Sequence, residues 1–578
     1  MLVPVVVVVG GAWSYRWVDE DAFINFRVIR NVLDGYGPVF NVGERVDVSS
    51  DPLWVAVLAV IHAVTPFVSL EWTSVILGLV CTAGGFLAGG LAAVRLTAPR
   101  ESGTLVPLGM VIASVVAGVW EFATSGLEMS LVFLWLGCSF LLLVRVEARR
   151  RRALPAAVVL GLGGLIRPEL LLSATLLTGA LVALVAAPGW AGGGRRLRRC
   201  ITTVAAAAAL PFFTVVLGAA YYAMLVPSTA LAKDAGAAWW SQGFTYLWNL
   251  VDPYALWVPA ALALPVVAVR ALHWWKKGDR TGTLVLLAPL VVGVADLGYV
   301  VHLGGDYMHA RLLLPALFAC CLPVWATTDQ LRSWAVVPVA GIAIWSIVCL
   351  GWLRFIPTTP HVIGLQTVFI SNERNSWISA SGRAHPVTAA DYADALSGQA
   401  GAVLARTAQG VAPGDQRIVV ITNPFAAVAT TTVPARSDLP FRLAVNLPAI
   451  GVIGYLVGPK VYIFDSFSLA NPIGSHTTVI HHARPGHEKL VGPAWMLGRF
   501  GVHGKTTLPD GPGVVPVAAA RAGVGCPPLR DYLEAITAPW TLSRAWSNLL
   551  GSPGYTTFRF SADPVRATTQ LCGPSKAP

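Results

Sequence analysis

Charge is what this sequence has least of. Asp, Glu, Lys and Arg make up 12% of its 578 residues, against 55% hydrophobic residues, and its mean hydropathy is +0.64. A soluble globular protein carries roughly 25% charged residues. About half that share cannot cover the surface of a water-soluble fold of this size. Several apolar runs also approach or exceed the ~20 residues needed to cross a bilayer. The composition therefore describes an integral membrane protein and excludes a disordered chain, a collagen, a secreted disulfide scaffold or an ordinary cytosolic enzyme. Acids are scarcer still than bases, 30 against 41, which leaves a net charge of +11. That excess does not signal nucleic acid, because the arginines cluster at Arg145 to Arg152, Arg195 to Arg199 and Arg270 to Arg280, in short gaps between apolar runs. This is the positive-inside pattern of cytoplasmic loops. No basic stripe with interleaved aromatics lies outside them, so no nucleic-acid partner is expected.

Other absences narrow the chemistry. The eight cysteines have no metal-site spacing, and Cys81, Cys138, Cys200, Cys320, Cys321 and Cys349 lie in or beside apolar segments, where small core residues belong. Cys526 and Cys572 sit in the polar C-terminal part, where a disulfide forms if that part lies outside the cytoplasm. There is no P-loop and no strand–GxGxxG–helix unit, so a lipid-linked donor is easier to accommodate than a nucleotide one. No repeat of solenoid period and no low-complexity linker divides the chain.

The apolar run at 2–15 looks like a signal-peptide core, but no small-residue cleavage site follows it, and it reads as a short first membrane helix. Further runs lie near 72–95, 104–122, 128–146, 153–166, 170–187, 201–225, 253–270, 282–302, 311–327 and 334–352. Together they predict a polytopic α-helical membrane protein of about 11 spans. All Arg-rich gaps then fall on the side of the N-terminus only if the shorter stretch at 52–66 lies along the outer interface instead of crossing. This parity puts 18–71, a first loop with juxtamembrane helices, and 355–578 outside the cytoplasm. Residues 1–354 form the membrane domain. The remainder is rich in Gly, Pro and Thr, with β-branched runs at Arg417–Thr422 and Lys460–Asp465, which predict an extracytoplasmic α/β domain.

Charges near a bilayer are costly and tend to be functional, and the outer face collects them in clusters. Asp19, Glu20 and Asp21 follow the first helix directly, and three adjacent acids repel one another unless a cation, a basic partner or a catalytic role accounts for them. Their bland reading is the acidic first turn of the amphipathic helix that Phe23, Phe26, Ile29 and Leu33 outline. A Gly/Pro-rich loop follows with Glu44, Arg45, Asp47 and Asp51, and a structural turn explains it equally well. Glu128 lies between the third and fourth runs; Arg167 and Glu169 interrupt the chain at membrane depth and want a partner or a water-filled cavity. Lys233, then Asp306, Tyr307 and Arg311 after Gly304-Gly305, complete the set. Lone charges near helix ends usually snorkel, whereas several converging on one face form a site. Acids near the start and cations further on suit transfer of a group off a lipid phosphate. A carboxylate handles the acceptor hydroxyl or the reacting carbon, and Arg167, Lys233 and Arg311 stabilise the departing phosphate. A divalent cation on Asp19 and Asp21 is the alternative for the second task.

The clusters, taken in order, resemble the polyprenyl-phosphate-dependent multi-helix (GT-C) glycosyltransferases, closest to the actinobacterial terminal β-(1→2)-arabinofuranosyltransferases. The resemblance runs over nearly the whole chain. Its motifs are Trp17-Val-Asp-Glu-Asp-Ala-Phe-Ile24, Arg30 to Val46, Phe122-Ala-Thr-Ser-Gly-Leu-Glu128, Ile166-Arg-Pro-Glu169, Pro227-Ser-Thr-Ala-Leu-Ala-Lys233, Gly304-Gly-Asp-Tyr307 with Arg311, Val461-Tyr-Ile-Phe-Asp465 and Gly486-His-Glu-Lys489. It implies a decaprenyl-phosphate-linked arabinofuranose donor, an arabinan acceptor in arabinogalactan and lipoarabinomannan, and a plasma-membrane location among the lipids that carry the donor. The family's usual Asp-Asp pair reads Glu20-Asp21 here. Asp21 is then the best catalytic carboxylate, with Glu20 and Asp19 as helpers or metal ligands, although the substitution leaves Glu20 as an alternative. Asp51 replaces the family's usual Asn before Pro-Leu-Trp. Glu44, Asp51, Glu128, Glu169, Asp306 and Tyr307 are expected to line the substrate site. If donor and product are both β, configuration is retained, through two inversions on a carboxylate nucleophile or through a front-face route. In the outer domain Asp465, His481, His482, His487 and Trp495 are candidates for the acceptor groove. A transporter and a non-catalytic assembly protein are the competing classes. The first would show two related halves with midplane charges, which this chain does not have, and the acid cluster argues against the second.

Overall fold

The computed structural model describes residues 2–150, 152–188, 196–233, 238–332, 334–353, 359–363, 366–421, 430–479, 487–506 and 511–573. Helices dominate. Among the described residues, five are long and apolar enough to cross a membrane: Leu70–Thr97, Met129–Arg149, Arg196–Tyr222, Trp257–Lys276 and Arg280–Leu303. Shorter apolar helices stand beside them, including Leu2–Ser14, Leu170–Ala186 and Val336–Gly351. The pair Leu70–Thr97 and Met129–Arg149 packs along a long shared face, and glycines meet at the crossing. A Cβ on Gly137 would lie 2.2 Å from the carbonyl oxygen of Gly85, and one on Gly85 would lie 2.4 Å from that of Phe133. Small residues that let backbones touch are the usual glue between helices in lipid, where apolar burial supplies little drive.

Three of the expected runs are not continuous helices. The run at 104–122 is split into Leu108–Val115 and Ala117–Thr124 by Val116, whose ψ of 118° is extended. The Trp120 indole N–H donates to the carbonyl of Ser114 at 2.7 Å, so a backbone group released by the break still has a partner. The run at 153–166 divides at Leu162 into Ala153–Gly161 and Gly163–Ile166. The run at 311–327 contains a 3-10 turn, Arg311–Leu313, and a short helix, Leu314–Cys321. Apolar composition does not distinguish a continuous span from one that is broken, and only packing decides. The stretch at 52–66 forms helix Pro52–Val64, started by Pro52 at its first position, where a missing N–H costs nothing.

The C-terminal region contains a four-stranded sheet. Arg417–Ile421 pairs antiparallel with Thr430–Pro434 and parallel with Leu443–Leu447, which pairs parallel with Val461–Asp465. Helix Gly451–Val457 makes the crossover between the last two. Every residue of Leu443–Leu447 and of Val461–Asp465 is buried, as in strands covered on both faces. Cys526 and Cys572 are disulfide-bonded, with Cα atoms 5.3 Å apart and a sequence separation of 46.

This region is tied to the first loop by buried polar contacts. Arg27 on helix Ala22–Leu33 donates to the carbonyls of Gly454 and Val461 at 2.6 and 2.8 Å. Arg45 donates to Ala535 and Ala538 at 2.7 and 2.8 Å. Glu44 accepts from Arg499 at 2.6 Å and from the Tyr462 hydroxyl at 2.9 Å.

Candidate active site

Asp19, Glu20 and Asp21 occupy the turn between helix Leu2–Ser14 and helix Ala22–Leu33. The turn is held from several sides. Val18 N–H donates to Pro386, Asp19 N–H to Ser125, and the Tyr392 hydroxyl to the Val18 carbonyl. Helix Ala22–Leu33 buries Phe23, Phe26 and Ile29, the apolar stripe outlined by the sequence, and this pins the acids at its start.

The three acids have different surroundings. Asp19 is buried, and its Oδ1 accepts the Asp21 N–H at 2.9 Å, while its Oδ2 has no hydrogen-bond partner among the described residues. Burial and the neighbouring Asp21 hold its carboxyl well above the usual range. Glu20 is buried too, and its Oε1 accepts from the backbone N–H of Gly451 at 2.6 Å and of Val452 at 3.1 Å, capping the crossover helix of the C-terminal region. Burial pushes its carboxyl up to about 8, with Asp21 adding to the effect and the two N–H bonds opposing it. Asp21 alone is open, with 27% of its side chain exposed. Its Oδ2 accepts from the Tyr307 hydroxyl at 3.2 Å and lies 4.0 Å from Arg311 Nη1.

Gly304 and Gly305 carry φ of 94° and 75° at the end of helix Arg280–Leu303, and a Cβ on Gly305 would strike the Tyr246 ring at 2.3 Å. The turn needs glycine. It delivers Asp306, Tyr307 and Arg311 to the same side as Asp21. The stretch at Met308 is seated by bridging to Ser371, with Ser371 N–H donating to Tyr307 at 2.7 Å and His309 N–H to Ser371 at 2.9 Å. From Arg311 a chain of charges continues. Nη2 lies 3.5 Å from Glu128 Oε1, and Nη1 lies 3.9 Å from Asp306 Oδ2. Glu128 also pairs with Arg167, which holds Glu169 through Nε at 2.6 Å. The Nε–H of Arg311 is buried without a hydrogen-bond partner among the described residues. Asp51 joins the edge of this set, accepting from Asn25 Nδ2 at 2.8 Å. Burial and Glu128 push its carboxyl up to about 8 against the pull of Arg167 and Arg311.

The structure thus joins Asp21, Tyr307, Arg311, Asp306, Glu128, Arg167 and Glu169 across four stretches of sequence. Other expected members lie elsewhere. Lys233 is exposed at the end of helix Ser228–Ala232, and among the described residues no ion pair joins it to the cluster. Glu44, expected to line the substrate site, is buried in its pair with Arg499, because it serves the contact with the C-terminal region. Trp495 is fully buried with its indole N–H on the Ala562 carbonyl at 2.9 Å, a core residue and no acceptor platform. Asp465 is fully buried and accepts the N–H groups of Phe467 and Ala470 at 2.8 Å, so it shapes a loop. His487 stands at the site, its ring edge-on to Tyr307 at 4.8 Å and to Phe467 at 4.5 Å. His481 and His482 lie outside the described residues.

Two features were not picked out from the sequence. Asp296, inside helix Arg280–Leu303, accepts from the Ser173 hydroxyl at 2.6 Å and with Arg167, Glu169 and Tyr299 lines a small cavity of about 10 Å³. Its signal was present, as a lone acid within an apolar run. Below Arg311, His309 Nδ1 lies 2.7 Å from Asn249 Oδ1, and its Nε2 lies 3.3 Å from the Tyr254 hydroxyl. Nothing in the local sequence marks these three as partners. As for a cation, no group of three or more His, Cys, Asp or Glu side chains forms a metal site among the described residues.

Comparison with known proteins identifies the family. The AftB family C-terminal domain model matches residues 423–570. A terminal β-(1→2)-arabinofuranosyltransferase of Mycobacterium tuberculosis is 33% identical over 97% of this chain and 95% of its own length. A terminal β-(1→2)-arabinofuranosyltransferase of Corynebacterium glutamicum is 29% identical over 84% of this chain and 74% of its own length. No solved structure matches. Similarity over nearly the full length sets aside the transporter and the non-catalytic reading: the chain belongs to the terminal β-(1→2)-arabinofuranosyltransferase family, and it is a glycosyltransferase.

Proposed function

We propose that this protein moves arabinofuranose from decaprenyl-phospho-arabinofuranose to the ends of cell-wall arabinan, at the outer face of the plasma membrane. The names of its relatives support the sugar and the product linkage. The lack of any nucleotide-binding motif and the membrane helices favour a lipid-linked donor. In this reading the chain makes about eleven crossings, with the Arg-rich gaps inside and 18–71 and 355–578 outside.

The observation that carries the reaction is the open Asp21 carboxylate facing Arg311, with the Tyr307 hydroxyl on the same oxygen. Asp21 is the carboxylate we assign to the reacting centre, as base for the acceptor hydroxyl or as nucleophile for the anomeric carbon. Glu20 is a positioning residue that docks the turn onto the C-terminal region through Gly451 and Val452. Arg311 and Arg167 supply the positive charge that the phosphate needs as the glycosidic bond breaks and its negative charge grows. The acids beside them orient both guanidinium groups, so little reorganisation is needed when a phosphate arrives. His487 and Tyr307 form the aromatic edge against which we place the acceptor sugar.

The test is sugar transfer in nanodiscs, using synthetic decaprenyl-phospho-arabinofuranose and a short arabinan acceptor. Wild type is expected to transfer. Asp21→Ala should lose activity by about a thousandfold or more, the scale of one acid–base or charge-stabilising group, while eluting from gel filtration like wild type. A well-folded wild type that fails with this donor but accepts another polyprenyl-phosphate sugar would overturn the arabinose assignment. An active Asp21→Ala would overturn the carboxylate.

A further inference from the structure

A second charged site lies at the far end of a helix that starts at the first. Helix Met129–Arg149 begins beside Glu128 and runs 21 residues, about 30 Å at 1.5 Å per residue. At its other end Arg145 and Arg149, with Arg95 from helix Leu70–Thr97 and Arg152 from the following turn, line a cavity of about 770 Å³ walled by Leu142 and Val146. The arginines on this face are of two kinds. Arg100 is neutralised by Glu147 at 2.8 Å and Asp279 at 2.5 Å, and Arg270 by Glu101 at 2.9 Å. Arg95, Arg145, Arg149 and Arg152 have no ion pair among the described residues, and all four side chains face a single cavity. Topology needs positive charge on this side of the membrane but does not need it gathered, unpaired, around a concave space with apolar walls.

We propose that this cavity binds the phosphate headgroup of an anionic lipid from the leaflet opposite the candidate active site. The shared chemistry is a phosphate held by guanidinium groups, which match its oxygens in paired, charge-assisted hydrogen bonds. A lipid is favoured over a free anion by position, because the cavity opens between the ends of two membrane-crossing helices. The walls of Leu142 and Val146 also extend from the arginines toward the apolar part of the bilayer, where an acyl chain would lie. Basic pockets between membrane helices at such a face are suited to anionic headgroups.

Native mass spectrometry of the full chain, released from nanodiscs of phosphatidylglycerol or of phosphatidylcholine, tests this. Wild type should retain phosphatidylglycerol and not phosphatidylcholine. The double variant R145Q/R149Q should retain about tenfold less or lower still, the scale of one or two lost charge-assisted bonds. A variant with all four arginines changed to lysine keeps the charge that sets topology and should fall between the two, because lysine gives up the paired geometry. Equal retention of phosphatidylglycerol by wild type and R145Q/R149Q would overturn the site. So would equal retention of the two lipids by wild type. Displacement of bound phosphatidylglycerol by millimolar inorganic phosphate would overturn the lipid in favour of a soluble anion. None of these readings depends on which sugar the enzyme transfers.

Discussion

Three adjacent acids with one composition have three fates, and the difference is burial. Glu20 holds its proton in the folded protein because its carboxyl is pushed up to about 8, above the ordinary glutamate value near 4.3. A carboxyl with a raised folded-state pKa contributes stability that is complete below its unfolded value and is lost as pH rises through the folded one. The neutral mimic Glu20→Gln should therefore match wild type in Tm near pH 4, exceed it increasingly from about pH 5 to about pH 8, and keep a constant margin at higher pH. Asp47 and Asp51, pushed up to about 7 and 8 by burial, act in the same direction in both proteins and cancel in the comparison. A Tm difference that stays constant from pH 4 to 8 would contradict the assignment. The sequence marked this triplet as important but could not rank its members. Asp19, Glu20 and Asp21 differ in what surrounds them, and those neighbours come from residues 125, 307, 311, 451 and 452.

Among elements, the crossing of Leu70–Thr97 and Met129–Arg149 sets glycine directly against backbone. Helix Met129–Arg149 starts at Glu128 of the candidate site, and both helices reach the arginine-lined cavity at the other end. Gly137→Val would push side-chain carbons into the Gly85 backbone, 2.2 Å from a Cβ at that position. Backbone cannot yield as a flexible side chain can, and the change should cost more than about 2 kcal/mol, in the range of overpacking a close interface. Gly179 on helix Leu170–Ala186 is exposed and a Cβ there meets nothing within 4 Å. Gly179→Val should leave Tm within a degree or two of wild type, whereas Gly137→Val should lower it clearly and shift the protein toward aggregate in gel filtration. Helix existence was legible from apolar runs. The breaks at Val116 and Leu162 were not, since an apolar residue ending one helix looks like any other in sequence.

At the scale of the molecule, the C-terminal region is part of the site's framework. Glu20, Arg27, Glu44 and Arg45 from the first loop all bond to it. The Glu44–Arg499 pair is the most informative to break, because the side chains are 3% and 9% exposed. Arg499→Ala would strand a buried carboxylate with only the Tyr462 hydroxyl beside it, at a cost of about 3–5 kcal/mol. Glu44→Leu with Arg499→Met removes both charges and should recover much of that loss. The check is Tm across the two singles and the double, read as a cycle. Additive losses would mean that the pair does not act as a unit.

Composition and run lengths alone determined that this is a membrane protein, which segments are apolar, where the arginine-rich turns fall, and that strands lie near 417 and 461. Those properties are local, set by side-chain hydrophobicity and its period along the chain. The ordered motifs also indicated the family. Tertiary structure alone decided that Asp21 is open while Glu20 is sealed. It likewise directed Glu44, Asp465 and Trp495 to the interior, left Lys233 apart, and brought Asp296 and Ser173 to the side of Arg167. Each of these outcomes depends on which distant groups surround a side chain and remove its water, and desolvation is a property of the assembled fold.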